Sequence, residues 1–113
     1  MIAAVLTAVL SIAGAQAAAR TQTYDQAVRC AGLAQAASEL EGGESREGRA
    51  LYDAALYWSL MAVQAGEAAR RAPAAAEADQ TRARIRAVRE LSADDGQARA
   101  DLRRCRERTP SLG

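Results

Sequence analysis

The amino-acid sequence predicts an all-α fold. It is a small up-down four-helix bundle, with helices at about 24–40, 49–70, 74–91 and 93–108, preceded by a signal-peptide helix. Three observations carry that expectation. Apolar residues recur every three or four positions. Glycine, proline and capping residues cut the chain into four helix-length pieces. No β-branched alternation or hairpin turn signal appears.

The N-terminal run MIAAVLTAVLSIAGAQAAAR carries no charged side chain before Arg20. Met1 to Ala15 is apolar except at Thr7, Ser11 and Gly14. That matches a signal-peptide hydrophobic region and falls short of the roughly 18–20 residues a membrane span needs. Small residues follow at Ala15-Gln16-Ala17 and Ala17-Ala18-Ala19. Residues 1–19 are therefore expected to be a signal peptide cleaved after Ala17 or Ala19, with 20–113 forming one domain in the periplasm or outside the cell.

In the first helix Thr23 and Gln26 are spaced as a capping box, and Cys30, Leu33, Ala37 and Leu40 share one stripe. Glu41–Gly48 holds three glycines and four charges and reads as a loop. The second helix places Leu51, Ala55, Trp58, Ala62 and Ala65 on one face, with Asp53, Tyr57, Leu60, Gln64 and Glu67 opposite. It is apolar nearly all round, so it is expected to be the central, most buried helix. Pro73 suits the first turn of the third helix, where Ala78, Thr81, Ile85 and Val88 are expected to face inward. Ser92 and Asp95 give a capping signal for the fourth helix, which puts Ala98, Leu102 and Cys105 on one face and stops before Pro110.

From Arg20 onward the large aliphatic residues are eight Leu, three Val, Ile85 and Met61, and alanine supplies most of the other apolar surface. So thin a core gains much from a covalent staple. The chain has two cysteines, and in an exported protein they are expected to form one disulfide, Cys30–Cys105. Each lies on the apolar stripe of its helix, one near the start of the bundle and one near its end.

The chain contains no histidine, which removes Ser-His-Asp and Cys-His machinery and ordinary zinc sites. No glycine loop is followed by a phosphate-binding lysine. No catalytic residue, metal ligand or cofactor is expected, and the chain reads as a non-enzyme. All fifteen basic residues are arginine. Residues 20–67 hold four Arg against seven acids, and residues 68–113 hold eleven against seven. This asymmetry either binds the halves together or offers a basic face to a partner.

Two binding surfaces follow as expectations. Tyr57, Leu60 and Met61 are candidates for an exposed apolar patch that binds a protein partner. Arg99 and Arg103, on the arginine-rich third and fourth helices, are candidates for binding an anion or polyanion. Nucleic acid is not expected, since acids and no aromatic residues accompany the arginines. Membrane contact is expected only through the signal segment, if it stays uncleaved. Together these features suggest a protein-interaction or chaperone-like accessory module of the cell envelope, with a small-ligand or polyanion binder as the alternative.

Overall fold

The computed structural model describes residues 23–111 as a small all-α bundle. The expected signal peptide, its cleavage sites and Arg20 lie outside the described residues. The helices are α1 (23–41), α2 (Arg46–Ala68), α3 (Pro73–Ser92) and α4 (Gly96–Glu107), and no strand occurs among the described residues. None of these helices is long and apolar enough to cross a membrane.

Local chemistry sets the ends. Helix α1 is described from Thr23 onward, and Thr23, expected as its cap, is itself helical. It stops at Gly42, whose φ of 89° suits a residue without a Cβ. Ser45 caps α2 by accepting a hydrogen bond from the Gly48 backbone N–H, so α2 begins at Arg46 and takes in part of the expected loop. Pro73 occupies the first turn of α3 as expected. Ser92 ends α3 rather than capping α4, and Asp95 is the cap, accepting from the Ala98 N–H at 2.8 Å.

Two helices end in a left-handed turn without glycine. After α2 the chain turns through Arg70 at φ 58°, with the Arg71 N–H donating to the Gly66 carbonyl. After α3 it turns through Asp94 at φ 62°, with the Asp95 N–H donating to the Glu90 carbonyl. Both are left-handed helix ends, built at positions where a side chain carries a conformational cost.

The centre of the bundle is α1, not α2 as the apolar content of α2 suggested. Tyr24, Ala27, Val28, Cys30, Ala31, Leu33, Ala34, Ala36 and Ala37 are all buried, around most of the circumference of α1. It touches each of the other helices. Tyr24 packs beside Gly66 of α2, Gly32 lies against Ala83 of α3, and Cys30 is bonded to Cys105 of α4. The Gly32–Ala83 approach is close: a Cβ on residue 32 would sit 2.6 Å from the Ala83 carbonyl carbon. Small side chains let the backbones come this near, and burial follows from that proximity rather than from bulk.

The same rule rotates the other helices. In α3 Ala76 and Ala87 are buried and Ala83 and the expected Val88 pack against the core partly buried, whereas Thr81 and Ile85 are exposed and Ala78 is only partly buried. Leu40 of α1, expected on the inner stripe, is also exposed. The inner face of α2 matches its sequence pattern, with Leu51, Ala55, Trp58 and Ala62 buried. In α4, Ala98 and Cys105 are buried and Leu102 packs on the core. The expected disulfide is present, Cys30–Cys105, with a Cα–Cα distance of 5.5 Å.

Candidate interaction surface

Trp58 anchors the inner side of α2. Its indole N–H donates to the Cys105 carbonyl at 3.2 Å and to Thr109 Oγ1 at 2.9 Å. Thr109 in turn donates to the Cys105 carbonyl, which ties the α4 terminus under α2. Fixing Trp58 inward fixes what points outward, because side chains on a helix repeat every 3.6 residues. The outward stripe is Tyr52, Leu56, Leu60 and Val63, exposed to 56, 52, 55 and 45%.

This stripe only partly coincides with the expected patch. Leu60 belongs to both. Tyr57 is half-buried, with its ring edge-on to Trp58 at a centroid distance of 5.1 Å, and Met61 packs against the core. Tyr52, Leu56 and Val63 were missed. Their signal was available in the spacing: 52, 56, 60 and 63 form a three-four pattern opposite Trp58.

Grooves flank the stripe. Towards α1, Tyr52 and Leu56 line a shallow groove of about 180 Å³ with Gln35 and Glu39. Towards α3, Val63 and Glu67 line a groove of about 440 Å³ with Ala76, Gln80 and Arg84. Gln35 lines both. Arg84 is held there by Glu39 at 3.0 Å.

The polar side of the molecule is engaged with itself. Arg29 of α1 reaches Glu90 of α3 at 2.6 Å and Asp101 of α4 at 3.2 Å. Burial works against the Arg29 charge, but hydrogen bonds to these two carboxylates outweigh it and hold its pKa above the usual arginine value. Burial likewise acts to raise Asp101, and hydrogen bonds from Gln97 and Arg29 overcome it, leaving its pKa lowered.

Asp79 is the second hub. It accepts from Tyr24 Oη at 2.6 Å and from Arg71 Nε at 2.8 Å, and it pairs with Arg82. Hydrogen bonding from Arg71, then from Tyr24, lowers its pKa to about 2. Burial, then the bond to Asp79, raises the Tyr24 hydroxyl above its usual value. A carboxylate this well satisfied is a poor general base. The open cleft of about 550 Å³ around it is lined by Arg29, Arg71, Arg82 and Arg86, all paired with Asp79 or Glu90.

Arg99 and Arg103 share a shallow cleft on α4 with Leu102 and Arg106. Arg99 pairs with Asp94 at 2.7 Å and Arg106 pairs with Glu47. Arg103 makes no ion pair among the described residues. The charge asymmetry along the chain is thus spent partly inside the fold: Arg84–Glu39 and Arg106–Glu47 join the basic half to the acidic half. No group of three or more metal-ligating side chains occurs among the described residues.

The chain matches no family model, no curated protein and no solved structure. Its surface chemistry is therefore the ground for a functional reading.

Proposed function

We propose that the chain is an exported, non-enzymatic helical interaction module of the cell envelope, of an accessory or chaperone-like kind, whose contact surface is the outward face of α2. One observation carries this reading: four large apolar residues, Tyr52, Leu56, Leu60 and Val63, lie exposed in line on one helix. Isolated exposed apolar side chains are ordinary, whereas a contiguous row flanked by grooves is the usual mark of a protein-binding surface. The signal-like residues 1–19 and the Cys30–Cys105 disulfide support export, since such bonds persist in oxidising compartments. The absence of histidine and the internal pairing of Asp79 and Asp101 support a role other than catalysis. A polyanion-binding role for Arg99 and Arg103 has less support, because Arg99 and its neighbour Arg106 are paired within the chain.

Affinity co-purification from the envelope tests the reading, comparing the native chain with Leu56→Glu. The native chain should bring down a specific complex that the variant loses while keeping its own melting temperature. Identical co-purification from both proteins would remove the α2 face from consideration.

A further inference from the structure

The reading of α2 as a contact surface leaves its partner open, and the charges along that face specify one. Taking about 100° of rotation per residue, Arg49, Leu56, Leu60 and Glu67 lie within about 20° of one line down the helix. Tyr52 and Val63 fall on one side of that line, and Asp53 and Gln64 on the other. All eight residues are exposed. The apolar residues occupy the centre, a cation closes the N-terminal end and an anion closes the C-terminal end.

Neither end charge is neutralised within the fold. Arg49 donates to the Glu44 backbone carbonyl and has no carboxylate partner among the described residues. Glu67 has no cationic partner there. Such a pattern is complementary to itself when reversed. In an antiparallel pair related by a two-fold axis, residues whose numbers add to about 116 lie at the same height, and each side of the seam meets the same side of its copy. Leu56 then meets Leu60 of the second copy at the centre, Tyr52 meets Val63, and Asp53 meets Gln64. Arg49 meets Glu67 at both ends. A parallel pair sets Arg49 against Arg49 and Glu67 against Glu67, which is repulsive at both ends.

We propose that the partner of the α2 face is a second copy of this chain, docked antiparallel through α2 so that Arg49 of each subunit pairs with Glu67 of the other. This rests on the α2 contact-surface reading and adds its occupant. A seam made by one helix from each subunit falls at or below the roughly 1,200 Å² low end of specific interfaces, so micromolar or weaker affinity is expected. Moderate salt weakens it through the end pairs without abolishing it.

Sedimentation equilibrium on the purified, disulfide-bonded protein, from about 1 µM to about 1 mM, tests the proposal. The native protein should form a dimer, and Leu60→Glu should remain a monomer throughout. Arg49→Glu and Glu67→Arg should each weaken the dimer on the order of tenfold, because two attractive contacts become two repulsive ones. The double variant carrying both should recover the native affinity. These two positions are exposed, so the charge series stays informative if Leu60→Glu fails to fold.

A native protein that is monomeric at every concentration overturns self-association. So does a dimer indifferent to Leu60→Glu, or a double variant no stronger than the single ones. If the protein is monomeric while Leu56→Glu still loses a complex in the envelope, the contact-surface reading survives with a different partner. If neither measurement responds to substitutions on α2, both fail.

Discussion

Helices α1 and α2 lie side by side, joined by the short turn at 42–45, and both are strongly apolar, yet they end in opposite situations. Helix α1 is enclosed by its three neighbours and supplies half of the buried apolar residues among those described. Helix α2 buries Leu51, Ala55, Trp58 and Ala62 but leaves Tyr52, Leu56, Leu60 and Val63 outside. The side chains that α1 buries are mostly alanine, with Gly32 at a close crossing, whereas α2 carries more of the large apolar side chains. Small residues allow helices to approach until nothing else fits between them. Large residues hold neighbours off, and those on the far side find no partner within the chain.

The closed side should be the fragile one. Removing the disulfide with Cys30→Ser and Cys105→Ser should produce the largest effect. Releasing a loop of 75 residues costs roughly 4–5 kcal/mol in the chain-entropy model, much of a small domain's stability. Denaturant unfolding should show that loss. A variant as stable as the native protein would mean that packing around α1 suffices without the staple. Gly32→Ala should follow, at about 3 kcal/mol, since the new methyl meets Ala83 backbone rather than a side chain that can move.

The polar hub at Asp79 also belongs to the closed side, and its contribution depends on pH. Its folded-state pKa of about 2 lies below its usual 3.8. The stabilisation it provides is therefore fully present above about pH 4 and is lost as pH falls towards 2. Asp79→Asn should be less stable than the native protein near neutrality, and the gap should close between about pH 4 and 2. A gap that does not change with pH would show that the Tyr24 and Arg71 bonds do not depend on the carboxylate charge.

The smallest expected effect is favourable. Arg70 holds a left-handed conformation at the end of α2, so Arg70→Gly should raise stability by up to about 1 kcal/mol. A loss instead would mean that the Arg70 side chain contributes a contact worth more than the backbone strain it imposes.

How much of this was legible in the sequence depends on what each signal measures. Proline, the Cys30–Cys105 pairing and the absence of strand patterns gave the helix number and the staple, because these are covalent or local constraints. The caps at Ser45 and Asp95 were misjudged: each sits in a polar run where several residues compete for the same role. The left-handed turns at Arg70 and Asp94 carry no glycine to announce them. The larger error was to rank helices and faces by apolar bulk. That placed α2 at the centre and turned Ile85 inward, where Ala76 and Ala87 lie instead. The same bias drew attention to Tyr57 and Met61, half-covered beside Trp58, and away from Leu56 and Val63.

The contrast between the two helices can be tested with one pair of equal truncations, measured by denaturant unfolding at micromolar concentration. Leu33→Ala, at the buried centre of α1, should cost about 2–5 kcal/mol. Leu60→Ala, on the outer face of α2, should stay within about 0.5 kcal/mol of the native protein. Comparable losses at both positions would contradict the account, because the α2 face would then be covered within the single chain.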